Sequence, residues 1–444
     1  MCAKIARSVA RYDPAGLAAT IILSDGGNAD YVEARYPGRL KYDEKNDAWY
    51  DADDDDRWRE GRTGEVLRRI EVAMREKYEA TAQVVDAKDR DRHKHALNSC
   101  NAVKIAHCAQ VLRTRKTVAI VPGTFDANPN LLGVENGILD LANNKFFEGR
   151  LDLLVAKRAQ VRYDPNATCP KFKKYLDRVQ PNEAIQKCLS QLVGACLTGT
   201  QLERCFIFFH GDGGNGKSVF MRLMQDLLGQ DYAFVCRKAL IFRPIKMAGE
   251  QAAGPNDVAD LIGKRLISCA EQKGRHWNLE FIKDYTGGEK QHARQLYVAG
   301  FNFAPTGKII VPANDKPGLD EFAEAIRRRF AMIEWNVTLT EQEKEPFEPY
   351  ITELKEDLSG ILNWALDGLA TLKRNRWRLE LPATEEKATR EYLSEQDQVS
   401  AFLDATYEDA KDANSLVSAM YRNFKECWLE ETHYVMARRS SLMR

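Results

Sequence analysis

Apolar positions in this chain alternate between two rhythms. Short continuous runs, Cys205-Phe206-Ile207-Phe208-Phe209, Leu266-Ile267-Ser268-Cys269 and Ile309-Ile310-Val311, predict buried strands. Between and around them, apolar residues recur at three- and four-residue spacing, which predicts helices packed on one face. Such stripes run over Glu65 to Ala80 (Val66, Leu67, Ile70, Met74, Tyr78), Val219 to Leu228, and Glu183 to Leu197. Another covers 351 to 375, with Leu354, Leu358, Ile361, Leu362, Ala365, Leu366 and Leu369. Strands alternating with helices over about 200 to 340 predict an α/β core built on a parallel sheet.

Residues 1 to about 165 are more polar and mixed in pattern, an N-terminal α+β accessory region. Ser24-Asp25-Gly26-Gly27-Asn28 reads as a turn, or as an N-cap before a helix over Ala29 to Arg35. Lys41-Tyr42 and Ala48-Trp49-Tyr50 read as short strands about a turn at Glu44-Lys45-Asn46. Leu131 to Leu141 reads as a hairpin turning at Asn136-Gly137. The acidic run Asp51 to Asp56 is expected to be a solvated loop, because carboxylates in a run repel and do not converge on one ion. Pro165, Pro170 and Pro181 mark a connector, and Leu381-Pro382 a linker. The last 60 residues are helical in pattern, with Tyr392, Phe402, Leu403, Tyr421, Phe424 and Trp428 as expected core.

Charge narrows the class of protein only a little. The 444 residues carry 65 basic and 65 acidic side chains, so a binder driven by overall positive charge is excluded. A local basic stripe on nucleic acid is not. Ten scattered cysteines show neither a Cys-x-x-Cys pair nor zinc spacing, and are expected to be free thiols in a reducing cytoplasm. No apolar run approaches 18 residues, so no membrane span is expected.

The chemistry starts where the first apolar run ends. Gly211-Asp212-Gly213-Gly214-Asn215-Gly216-Lys217-Ser218 stands between a strand pattern and a helix pattern. That order makes a phosphate cradle, in which loop and helix N-terminal N–H groups surround the phosphates. Lys217 is expected to reach the β/γ-phosphates of ATP and the Ser218 hydroxyl to hold Mg²⁺. Glu271 follows the next strand pattern and is the candidate to polarise the attacking water and support the metal. Asn314 ends a third strand and could donate to the γ-phosphate, although Asn ends many strands. Arg327-Arg328-Arg329 follows 13 to 15 residues later, either a solvated basic turn or a source of phosphate-binding guanidinium groups. Lys290, Arg294 and Tyr297, with Phe301 and Phe303 beyond, interleave cations and rings as single-stranded nucleic acid requires. A core hairpin with buried rings would give the same pattern.

Together these residues resemble a superfamily 3 helicase, nearest the phage and plasmid primase-helicase group related to the poxvirus nucleoside triphosphatase. The resemblance rests on Gly211 to Ser218, Leu266 to Glu271, Ile282-Lys283 with Thr286-Gly287-Gly288, Ile309 to Asn314, and Arg328-Arg329. It extends through Phe125-Asp126-Ala127-Asn128-Pro129, Asn136 to Leu141, Tyr163-Asp164-Pro165, Leu197-Thr198-Gly199 and Gly360 to Ala365. It implies an AAA+-like core over 201–340 that assembles as a homo-hexamer with ATP between subunits. Residues 1–165 would be the accessory region, 166–200 a helical connector, 341–380 a helical lid, and 381–444 a partial winged-helix-like region. On this resemblance Lys217, Ser218, Glu271 and Asn314 act in cis, while Arg328 or Arg329 reaches the neighbour's γ-phosphate. Lys290, Arg294 and Tyr297 would track single-stranded DNA, moving 3′ to 5′, in the cytoplasm of a bacterial host. Primer synthesis is expected from a separate primase or polymerase. Two rivals remain: a nucleotide-dependent initiator that binds DNA without unwinding it, and a metabolic P-loop NTPase unrelated to DNA.

Overall fold

Uniformly apolar strands need cover on both faces, and the sheet that organises the second half of the chain has it. The computed structural model describes residues 12–61, 63–82, 87–243, 251–270, 276–294, 300–319, 324–395, 406 and 418–424. Two compact units divide the chain at 158/159.

In the first unit, β1 (Leu40–Asp43), β2 (Ala48–Ala52), β3 (Trp58–Gly61) and β4 (Ala119–Ile120) form a sheet in the order β3-β2-β1-β4. Helices Asp25–Arg35, Thr63–Ala80 and Ala102–Arg113 supply its core, including Tyr31, Ile70, Met74 and Leu112. Ser24 caps the first of these helices by accepting from Gly27 N–H, as its position predicts. A second, three-stranded sheet joins β5 (Leu131–Val134), β6 (Gly137–Asp140) and β7 (Lys145–Phe147). Val134 pairs with Gly137, so the hairpin turns at Glu135-Asn136, one residue earlier than expected. The Gly137 position is packed too closely for a turn tip: a Cβ there would lie 2.2 Å from the Phe147 carbonyl oxygen.

The acidic run is solvated where expected over Asp54, Asp55 and Asp56, which are exposed in a turn, but is structural at its start. Asp51 lies buried in β2 and pairs with Arg69 at 2.6 Å. Asp53 accepts from Arg57 and Arg59. Arg57 and Arg59 neutralise Asp53 from close by in sequence, whereas Arg69 reaches Asp51 from helix Thr63–Ala80.

The second unit centres on five parallel strands: β8 (Phe206–His210), β9 (Ala233–Cys236), β10 (Leu266–Cys269), β13 (Lys308–Ala313) and β14 (Phe330–Glu334). Their order is β14-β8-β13-β10-β9. β11 (Gln291–Ala293) and β12 (Phe301–Phe303) form a separate antiparallel hairpin. Helix Lys217–Tyr232 follows β8 directly. Phe206 and Phe208 meet Trp277, Phe330 and, from Phe208, Tyr392 on one side of the sheet. Phe209 meets Phe220 and Trp335 on the other.

The connector holds a helix that its prolines obscured, Pro170–Val179, with Pro170 at its first turn. The long helix expected over 351 to 375 is two, Phe347–Lys355 and Leu358–Arg374. The break at Asp357 has a cause: its carboxylate accepts from the buried Phe172 N–H at 2.9 Å, across to the connector helix. Helix Leu358–Arg374 then packs so closely on Glu183–Cys196 that a Cβ at Gly368 would fall 2.1 Å from the Ser190 carbonyl oxygen. Eight cysteines are described and all are free. No helix among the described residues is long and apolar enough to cross a membrane. Tyr421 and Phe424 are described, Phe424 as buried; Phe402, Leu403 and Trp428 lie outside the described residues.

β14 is an edge strand, and helix Ala383–Glu395 closes it. Thr389 Oγ1 accepts from Met332 N–H at 3.0 Å, and Glu385 Oε2 accepts from Glu334 N–H at 2.8 Å. Burial, reinforced by the Glu334 charge, pushes the Glu385 carboxyl up to about 7. A carboxyl raised this way binds its proton more tightly in the folded chain, so its contribution to stability falls as pH rises from the unfolded value towards about 7. Glu385→Gln keeps an acceptor but no proton equilibrium. The wild type should therefore lose stability relative to Glu385→Gln between roughly pH 5 and pH 8, measured by denaturant unfolding. A difference independent of pH would contradict this assignment.

Candidate functional site: a phosphate cradle at the end of the sheet

The carboxyl end of β8 opens into the glycine loop. Gly213 and Gly214 adopt φ of 94° and 61°, and Gly216 one of 86°, conformations that side chains other than glycine rarely take. Gly216 is also sterically fixed, since a Cβ there would come within 2.7 Å of Val179 Cγ1. Gly211 is held as tightly against the Trp335 carbonyl oxygen. The loop is thus shaped by neighbours on both flanks and leaves its backbone bare of side chains where an anion would approach.

Lys217 opens the following helix and is buried at 4 % exposure. Its Nζ donates to the Gly211 carbonyl at 2.6 Å, to Asn215 Oδ1 at 3.0 Å and to Asn314 Oδ1 at 3.1 Å. A buried ammonium needs such acceptors, and phosphate oxygens are the stronger alternative. Asn215 is itself buried, and its Nδ2 donates to the Trp335 carbonyl at 2.9 Å. Ser218 and Asp212 are exposed at the loop. The donor set fits a nucleotide with Mg²⁺: bare loop amides and Lys217 for phosphates, the Ser218 hydroxyl for the metal.

Asn314 stands just past β13 and meets Lys217, so the structure brings these two sequence candidates together. Glu271 and Tyr297 lie outside the described residues. β10 ends at Cys269, on the same edge of the sheet as the loop. Beside the loop, burial and the Lys316 charge push the His210 imidazole below its usual range, which keeps it neutral at pH 7.

The arginines lie elsewhere. Helix Glu324–Arg329 leads into β14, whose first residue, Phe330, pairs with Phe206 at the start of β8. Arg328 and Arg329 are therefore at the opposite end of the sheet from the loop, about 16 Å away along a five-residue strand. Arg329 donates to the Lys283 carbonyl at 3.0 Å, whereas Arg328 is exposed. The hairpin forms as expected, with Lys290 and Arg294 exposed and Phe301 and Phe303 half-buried. Arg294 N–H donates to the Pro255 carbonyl at 3.2 Å, which fixes the turn end of β11 to helix Pro255–Ala259.

Sequence reasoning missed the supports of the loop. Tyr175 Oη donates to the Gly216 carbonyl at 2.8 Å, and Leu339 N–H to the Gly214 carbonyl at 2.9 Å. Phe172, Tyr175, Leu176 and Val179 recur at helical spacing, so the helix was there to be seen. Its partner was not.

A profile described as D5 N terminal like matches residues 29–181. A second, of a family of unknown function, matches residues 209–329. A provisionally named helicase of Acanthamoeba polyphaga mimivirus is 27 % identical over 317 residues, covering 65 % of this chain and 32 % of that protein. A protein named Primase D5 of fowlpox virus is 23 % identical over 262 residues, 54 % of this chain and 31 % of its own length. A provisionally named helicase of invertebrate iridescent virus 3 is 22 % identical over 338 residues, 69 % of this chain and 35 % of its own. The chain thus spans about a third of the length of these relatives. Among solved structures, the NrS-1 C terminal region shares the fold, at TM-score 0.50 and 12 % identity, over 89 % of this chain and 80 % of that one.

Removing the Asn215 amide would leave the buried Trp335 carbonyl without its donor. Asn215→Ala should lower the unfolding free energy by about 1–3 kcal/mol in a denaturant titration. An unchanged midpoint would show that Asn215 does not brace the loop.

Proposed function

We propose that this chain, which fits the superfamily 3-like phage and viral primase-helicase family, is the ATP-hydrolysing motor of a DNA helicase. The observation that carries the reading is the buried Lys217 bonded to Asn314 across the mouth of the glycine loop. It supports a core of AAA+ type in which the γ-phosphate of ATP lies between these two side chains. Ser218 would hold Mg²⁺, and Glu271 would activate water.

Arg328 supports a ring. It cannot serve the loop of its own subunit from the far end of the sheet, but a neighbour in a homo-hexamer could receive it. Exposed Arg328 suits that role better than Arg329, whose guanidinium is engaged by Lys283. Lys290 and Arg294, with Tyr297, are the proposed contacts to single-stranded DNA on the hairpin. Unwinding would serve replication of a phage, prophage or plasmid in the host cytoplasm, with priming left to a separate primase or polymerase.

ATP hydrolysis should rise when a single-stranded oligonucleotide is added at matched salt. Lys217→Ala should abolish turnover. Lys290→Ala with Arg294→Ala should keep basal turnover and lose the stimulation. Arg328→Ala should be inactive alone and partly rescued in mixed rings with Lys217→Ala subunits, through sites pairing an intact loop with an intact finger. Turnover indifferent to DNA would favour a metabolic NTPase. Stimulated turnover without strand displacement would favour an initiator.

A further inference from the structure

Phe347 is the most exposed aromatic side chain among the described residues, at 42 %. It opens helix Phe347–Lys355, and Tyr350 follows it at the three-residue spacing that puts both on one helix face. The Tyr350 ring stands edge-on to Tyr175 at 6.3 Å, and Tyr175 donates to the Gly216 carbonyl of the cradle. Glu348 Oε1 lies 3.6 Å from Arg222 Nη1, and Lys355 Nζ 3.3 Å from Asp226 Oδ2. These pairs seat the aromatic helix on the early turns of the helix that Lys217 begins.

A nucleotide whose phosphates occupy the loop must carry its ribose and base out of the cradle. An exposed ring at this place meets the need of a nucleobase, which has a flat π-face to bury. We propose that Phe347, backed by Tyr350, is the platform on which the base of a bound nucleoside triphosphate stacks. This rests on the reading of residues Gly211 to Ser218 as a phosphate cradle. Stacking accepts every base, so the platform contributes affinity without strict choice among nucleotides.

Isothermal titration of the full chain with Mg²⁺ and either ATP or inorganic tripolyphosphate separates base from phosphate. Phe347→Ala should weaken ATP roughly 5- to 100-fold and leave tripolyphosphate unchanged. Phe347→Trp should restore ATP binding. Unchanged ATP affinity in Phe347→Ala, or an equal loss of tripolyphosphate, would overturn the platform while the cradle stands. If the wild type binds neither ligand, the cradle fails and the platform with it.

Discussion

The site depends on one buried charge. Lys217 sits at 4 % exposure, and a cation so placed is tolerable only while its protons are taken up. Its three acceptors come from the loop start, from the loop itself and from the end of β13. Asn215 passes the constraint on to β14 through the Trp335 carbonyl. One ammonium thereby ties together the ends of three neighbouring strands. Anything that displaces Asn314 or Asn215 also strips Lys217 of a partner, so loop shape and strand alignment cannot vary separately.

Parallel topology makes that concentration possible. With all five strands running the same way, β8, β10 and β13 deliver their following residues to one edge. The same rule sends the residues that precede β14 to the other edge, which is why Arg328 and Lys217 are apart within one chain. A functional set split between two ends of a sheet is incomplete in a monomer and can be completed by a second copy. The ring proposal is therefore a consequence of strand direction and register, and owes nothing to the number of arginines.

Much of this was legible because apolar runs and glycine chemistry are local signals. The strand, loop and helix around Lys217 follow from adjacent residues, and so does the cap at Ser24. The errors arise where a distant residue decides. The turn near Asn136 shifted because Gly137 is packed against Phe147, and the helix over 351 to 375 broke because Asp357 accepts from Phe172. The start of the acidic run became structural because Arg69, on the following helix, pairs with the buried Asp51. In the cradle, the motif placed the glycine loop and the buried Lys217. It was silent about Tyr175 and Leu339, whose bonds go to loop carbonyls that any residue type would offer.

The same reasoning applies to the stretch after Leu381-Pro382, which reads as a linker followed by a helical pattern with Tyr392 in its core. Helix Ala383–Glu395 is instead bound into the sheet at three levels. It satisfies the edge N–H groups of β14 through Thr389 and Glu385. Tyr392, fully buried, accepts from Trp277 Nε1 at 2.7 Å and donates to the Pro317 carbonyl at 2.5 Å. Glu395 pairs with Lys316 at 3.4 Å. Lys316 and Pro317 lie two and three residues beyond Asn314. A movement of Asn314 on the scale of a hydrogen bond must then be absorbed within that short segment or transmitted to a buried tyrosine that has both bonds made. Close packing leaves little room for the first. The helix that seals the sheet edge is thereby coupled to the side chain that bonds Lys217.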